Sequence, residues 1–384
     1  MAGFCATLVG NGLGRFAFSP LIPALIGAGW FAPPAAFYLQ AANLAGYLAG
    51  ALLGRPLTLR IRNVAILRSM MLVATVTLFA CARPVSFWWF AIWRFASGLS
   101  GGVLIVLAAA QVLPHVPVRK AGLAGGIIFA GVAVGIAGSG TVIPLLLRLG
   151  LTDTWLALGA ISLVLTAIAW NGWPDDHHSL VPPRHTEFPR AASYGADPML
   201  ASLYAEYALV AMALVPHMVF IVDFVARGLG QGIEIGSLYW VAFGISAIGG
   251  SVLSGWLGDR IGFRLALRVM LAIQTVAVLI PALLQTSLPL IVSTVLAGSF
   301  VPGSSTLVLG CIQQRARTTG EVRHAAWSIA TVSFAIGQAV AAYTFSWLFA
   351  ATGSYAVLFA CGAAALGLAL TIDLITTAMR SSSR

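Results

Sequence analysis

The stretch Gly255-Trp256-Leu257-Gly258-Asp259-Arg260-Ile261-Gly262-Phe263-Arg264 joins two apolar runs, about 235–258 and 263–285. Each run is long enough to cross a hydrocarbon layer about 30 Å thick. The connection between them is short and basic. An earlier stretch echoes it: Gly50-Ala51-Leu52-Leu53-Gly54-Arg55-Pro56 follows the run 35–54 and precedes Arg60 and Arg62. Laid over each other, Gly50 meets Gly255, Leu52 meets Leu257 and Arg55 meets Arg260, while Gly54 stands where Asp259 would be. A segment repeated at matching places in two halves is the pattern of repeat-built membrane folds.

Working outward, apolar runs recur along all 384 residues. They lie at about 4–28, 35–54, 64–82, 86–113, 121–147, 154–171, 202–226, 235–258, 263–285, 288–310, 325–349 and 353–376, which predicts twelve transmembrane helices. The composition agrees: 59% hydrophobic, 8% charged and a mean hydropathy of +0.94, against roughly a quarter charged residues in soluble domains. The net charge of +10 is not gathered in one soluble region, so it does not predict nucleic-acid binding. Cys5, Cys81, Cys311 and Cys361 are widely spaced in or beside apolar runs and read as packing residues. The first run lacks a basic n-region and carries Arg15, so it reads as a retained helix, not a cleaved signal.

The basic residues give an orientation. With the N-terminus in the cytoplasm, Arg55, Arg60, Arg62, Arg68, Arg119, Lys120, Arg184, Arg190, Arg260, Arg264, Arg268, Arg315, Arg317, Arg323, Arg380 and Arg384 fall inside. Only Arg83, Arg148 and Arg227 fall outside. This asymmetry follows the positive-inside rule and puts both termini in the cytoplasm. The longest connection, about 172–201, holds Asp175, Asp176, His177, His178, Pro182, Pro183, His185 and Glu187. It reads as a polar cytoplasmic linker between a six-helix bundle over 1–171 and another over 202–384. Its histidines need no metal, and no metal site is expected.

Gly255, Leu257, Asp259, Arg260, Gly262 and Arg264 match the loop signature G-x-L-x-D-R-x-G-x-R/K, so the segment resembles the major facilitator superfamily. Arg94, Gly98 and Gly102 meet a second pattern of that superfamily, R-x-x-x-G-x-x-x-G on the fourth helix. The text Gly12-Leu13-Gly14-Arg15-Phe16-Ala17-Phe18-Ser19-Pro20, with Ala42-Asn43 through Gly50, looks like the poorly characterised YbfB/YjiJ group. The resemblance implies an all-α membrane fold of two six-helix bundles with pseudo-two-fold symmetry. It also implies a monomeric secondary transporter of the bacterial inner membrane, surrounded by lipid and working by alternating access without a cofactor. It implies gating roles for Asp259, Arg260 and Arg264, and for Arg55, although Gly54 cannot supply the acid in the first half. These arginines also serve as topological charges. The glycine-rich fifth run, with Gly138-Ser139-Gly140, is a loose echo of an antiporter signature and lacks its G-P-x-x-G-G core.

Only Arg15 and Arg94 are left inside the membrane by the charge tally. At ~1.5 Å rise per residue both lie near mid-depth, where a cation must face protein or a wet cavity. Together they can hold a carboxylate, or each can act as a strut on backbone carbonyls. Gln40, Asn43 and Tyr47 share one face of the second run and can orient a ligand or cross-link helices. In the seventh run, Pro216 should break the helix. His217 and Asp223 there are candidate proton sites, and Asp223 is also placed to pair with Arg227. Gln338 is a large polar residue at the centre of the eleventh run. No nucleotide-binding signature, metal tetrad or nucleophile constellation is present, so the chain does not read as an enzyme. The expected substrate is a small organic anion, moved with protons. Proton-driven efflux of hydrophobic, drug-like compounds is the second reading, and a receptor or scaffold without transport the third.

Overall fold

The computed structural model describes residues 1–117, 121–174, 198–315 and 320–382. These residues are helical almost throughout, and no strand occurs among them. The chain opens with α1 (Ala2–Thr7), a π-helical stretch (Leu8–Phe16) and α2 (Phe18–Gly27). The next five helices are α3 (Pro33–Thr58), α4 (Asn63–Ala80), α5 (Phe87–Val112), α6 (Ala121–Leu146) and α7 (Leu151–Trp170). Then comes α8 (Pro198–Val215), which runs through two π-turns (Pro216–Phe220 and Phe224–Gly228) separated by the short α9 (Ile221–Asp223). The last five are α10 (Gly232–Ile261), α11 (Phe263–Leu283), α12 (Ser287–Arg315), α13 (Gly320–Thr352) and α14 (Tyr355–Ser382).

Eleven helices among the described residues are long and apolar enough to cross a membrane. The expected count was twelve. The difference lies in the first run, which is helical from Ala2 to Gly27 but in three pieces, none long enough to be counted. Local chemistry explains the break. Gly10, Gly12 and Gly14 weaken the α-helix, and Pro20 can neither donate to nor approach the carbonyl four residues earlier. The backbone takes in extra residues instead, and the Ala17 amide donates to the Gly12 carbonyl at 3.0 Å, the i→i+5 bond of a π-turn. Pro216 opens the same kind of turn in the seventh run. The other expected runs match the observed spans within a few residues at most ends, the seventh (Met199–Gly228) being interrupted by its two π-turns.

Many large apolar side chains face outward, Trp88, Val252 and Leu288 among them. That fits a lipid surround, where an apolar exterior costs nothing. The chain divides into two compact units. The first comprises Met1–Asp176, Met218–Ile245 and Ala342–Tyr355. Inside it α3 lies along α5 with their backbones touching, because Gly46 and Gly50 of α3 meet Phe95 and Leu99, and Gly98 and Gly102 of α5 meet Asn43 and Tyr47. Small residues are what permit such an approach in a membrane. The second unit comprises His177–His217, Ser246–Ala341 and Ala356–Arg384. There Gly250 of α10 meets the Ser299 carbonyl of α12 in the same way. The sharp corner from α10 into α11 is made by Gly262 at φ 84°, a left-handed conformation open to glycine. The linker expected over 172–201, with His177, His178 and His185, lies for the most part outside the described residues.

Candidate functional site

The π-turn and the α3–α5 contact together build a polar centre inside the first unit. The turn presents the carbonyl of Gly14 to α5 and α3. It accepts from Arg94 Nη1 at 2.8 Å, from Ser97 Oγ at 2.8 Å and from Asn43 Nδ2 at 3.4 Å. Asn43 Nδ2 also donates to the Arg94 carbonyl at 3.0 Å. The second guanidinium nitrogen, Arg94 Nη2, donates to Gln40 Oε1 at 2.8 Å, and the cation stands 4.1 Å from the centre of the Phe18 ring. Arg94 is 1% exposed, Gln40 2% and Asn43 0%. The glycine spacing after Arg94 explains the geometry: Gly98 and Gly102 seat α5 on α3, which brings Arg94 level with Gln40. Of the two roles open to Arg94 in the sequence, this geometry is that of a strut held by neutral partners.

Arg15 sits one residue beyond that carbonyl and is also buried. Its guanidinium lies 4.6 Å from the ring centre of Tyr47 and 4.8 Å from that of Phe16, and the Tyr47 side chain is its hydrogen-bonding neighbour. Tyr47 is only partly buried. On the same π-turn Asn11 Nδ2 donates to the Gly101 carbonyl at 3.2 Å. A little further along, Ser19 Oγ donates to the Met218 carbonyl at 2.6 Å. The structure therefore brings Arg15, Tyr47, Asn43, Gln40 and Arg94 together around one break in the first helix.

The seventh-run candidates are separated by their partners. His217 is fully buried, in edge contact with Phe359, and its Nε2 lies 2.8 Å from Ser293 Oγ. Ser293 Oγ donates to the Ala277 carbonyl at 2.6 Å, which uses its single proton. His217 Nε2 is therefore the donor to Ser293, and Nδ1 carries the lone pair. Asp223 belongs to the first unit. It receives Arg227 through Nε at 2.5 Å and Nη2 at 2.8 Å, and the Tyr355 hydroxyl in a very short bond. This is the pairing with Arg227 that the four-residue spacing suggested. Gln338 is buried in α13.

The signature stretch divides as well. Asp259 and Arg260 are exposed at the end of α10, and Arg260 stacks 4.5 Å from the Trp256 ring centre. Arg264 turns into its own unit instead. Its Nη2 meets Glu206 Oε1 of α8 at 2.9 Å, and its Nε makes a close ion contact with Asp373 of α14. Arg268 meets the other Asp373 oxygen at 2.5 Å and Thr377 at 2.8 Å. Sequence reasoning missed this four-residue network, although Glu206 and Asp373 are rare acids in long apolar runs, which was the available signal. The side chain of Arg55 lies outside the described residues. Among the described residues no group of three or more His, Cys, Asp or Glu is placed to hold a metal.

A bundle of membrane helices with paired halves, buried arginines and the G-x-L-x-D-R-x-G-x-R corner defines a major facilitator-type carrier. The sequence profile described as "Uncharacterised MFS-type transporter YbfB" matches residues 7–374. The chain belongs to that family; it is an MFS-type transporter of a multi-pass membrane fold, and not an enzyme. No curated protein matches its sequence. Among solved structures it is similar to the nucleoside transporter NupG (TM-score 0.79, 11% identity, 97% of this chain and 98% of that one). It is also similar to a bacterial homologue of the human lysosomal transporter Spinster, inward-facing and unoccupied (0.70, 17%, 98% and 94%), and to a D-xylose–proton symporter (0.69, 16%, 96% and 96%).

Proposed function

We propose that the protein is a secondary active transporter that moves a small organic anion by alternating access, coupled to protons. In this reading it has twelve spans, with the broken helix Ala2–Gly27 as the first. It forms two six-helix bundles, 1–171 and 202–384, joined by the linker 172–201, acts as a monomer in the inner membrane and has both termini in the cytoplasm. The observation that carries the anionic reading is the buried guanidinium of Arg15, set on a π-turn against the face of Tyr47. A guanidinium held in place by neighbouring aromatic side chains is pre-positioned, and its fork of donors suits bidentate recognition of a carboxylate. Arg94, Gln40 and Asn43 support this anchor by holding the Gly14 carbonyl next to it, and Gln338 remains a proposed substrate-binding residue. Asp259, Arg260, Arg264 and Arg55 remain the proposed gating residues.

The test is a thermal-shift and binding screen of the purified protein against small mono- and dicarboxylates, with Arg15→Ala beside wild type. A carboxylate that stabilises wild type should lose at least tenfold in affinity in the variant, since a charge-assisted hydrogen bond contributes about 1.5–3 kcal/mol. Carboxylate binding unchanged in Arg15→Ala would sink the anchor. Stabilisation by lipophilic drugs alone would favour the efflux reading. Proteoliposomes that move a bound carboxylate with no proton flux would remove the coupling.

A further inference from the structure

We propose that Glu206 is the carboxylate that takes up and releases the coupling proton, and that Arg264 of the signature corner senses its state directly. The inference rests on the proton-coupled reading above.

Three helices of the second unit meet at this point: α8 through Glu206, α11 through Arg264 and Arg268, and α14 through Asp373 and Thr377. Both acids are buried, Glu206 at 1% and Asp373 at 0% exposure. Their surroundings differ. Each Asp373 oxygen faces a guanidinium, Arg264 on one side and Arg268 on the other. Glu206 has one guanidinium, Arg264, on Oε1; its Oε2 has no ion partner and accepts no hydrogen bond, the Ser202 hydroxyl being the nearby polar group. Ser202, one turn earlier, gives its hydroxyl proton to the Met199 carbonyl at 3.0 Å. On α12 the neighbouring titratable group is the buried thiol of Cys311, and Tyr207 is directed away to Ser305 at 2.7 Å. A bare oxygen on a buried ion is costly, and a proton placed there removes the charge.

The other candidates lack this property. Asp223 is held by Arg227 and Tyr355. His217 already donates through Nε2, so a second proton at Nδ1 would create a cation in a fully buried site beside Phe359. At Glu206 the proton also has a mechanical consequence. With both acids ionised, two carboxylates balance two guanidinium groups. Once Glu206 is neutral, the cluster carries an excess positive charge, and Arg264 keeps only Asp373 as an anionic partner. The tie between α8 and α11 weakens two residues after the Gly262 corner and on the helix that carries the Pro216 π-turn.

The experiment is infrared difference spectroscopy of the full chain in lipid nanodiscs, between mildly acidic and mildly alkaline buffer. Wild type should show a protonated-carboxyl carbonyl band that bleaches as the buffer is made alkaline. The band should vanish in Glu206→Gln, shift in Glu206→Asp and persist in Asp259→Asn, whose carboxylate is exposed. Because Glu206→Asp keeps the acid, the assignment does not depend on Glu206→Gln folding. A band that neither variant changes, or no titrating band at all, overturns the proposal. Proton flux in proteoliposomes is scored separately. Flux with no Glu206 band rejects Glu206 and leaves the coupled reading standing; a Glu206 band with no flux rejects the coupling.

Discussion

The Gly14 carbonyl, on the π-turn, takes three side-chain donors, and a buried carbonyl must be satisfied in lipid. Arg94 is the strongest of the three and also bridges to Gln40. Replacing it with Met removes a buried charge but strands Gln40 Oε1, at about 1–3 kcal/mol for an unsatisfied buried acceptor; Gly14 keeps Ser97. Arg94→Met should therefore destabilise the protein by about 2 kcal/mol, and adding Gln40→Leu should recover roughly half of that. Arg94→Lys should not rescue, because an ammonium is a point donor and cannot span both acceptors. Unfolding in mixed micelles would measure all three. Strict additivity of the Arg94 and Gln40 variants would show that the bridge contributes nothing. Sequence picked out Arg94, Gln40 and Asn43 as buried and polar but left strut and ligand contact open, because the deciding partner is a backbone carbonyl 80 positions away.

Helices were legible where the bilayer dictates them. Some 20 apolar residues are needed to cross, so α3–α7 and α10–α14 fall close to the expected runs. The interruptions were only half legible. Pro216 announced one, whereas nothing in the first run announced a π-turn, which leaves no mark on hydropathy. Ion pairs between helices were the least legible: Glu206 and Arg264 are 58 positions apart, and Arg268 and Asp373 are 105 apart. Glycine counting in α6 also mixed two kinds of residue. Gly131 and Gly135 press against the first helix at Thr7 and Gly12, while Gly138 faces open space. The contrast is testable with alanine. Gly98→Ala would drive a methyl into the Asn43 carbonyl and should cost at least about 2 kcal/mol, the scale of overpacking. Gly138→Ala should be neutral or stabilise by up to about 1 kcal/mol, the helix-propensity difference. Equal thermal shifts for the two variants would refute the packing role assigned to the α3–α5 contact.

At the scale of the whole molecule, span parity depends on the broken first helix. Among the described residues eleven helices qualify as spans without the first run, and an odd number would put the two ends of the chain on opposite sides. The proposed topology puts them on the same side: in it Arg60, Arg62, Arg260 and Arg264 alternate with Arg83, Arg148 and Arg227 over twelve crossings, as the positive-inside rule favours. Helical pieces from Ala2 to Gly27 supply about 39 Å at 1.5 Å per residue, enough for one crossing. The donors on Gly14 satisfy the carbonyl that the break presents to α5, and Asn11 ties the same stretch to α5 through the Gly101 carbonyl. The first helix can therefore cross the membrane without being continuous. Epitope tags placed before Met1 and after Arg384, probed in intact and then permeabilised spheroplasts, should both become accessible only after permeabilisation. A tag before Met1 that is accessible in intact spheroplasts, with the other still protected, would mean that Ala2–Gly27 does not span. Arg15 would then lie outside any transport path, and the anionic reading would fall with it.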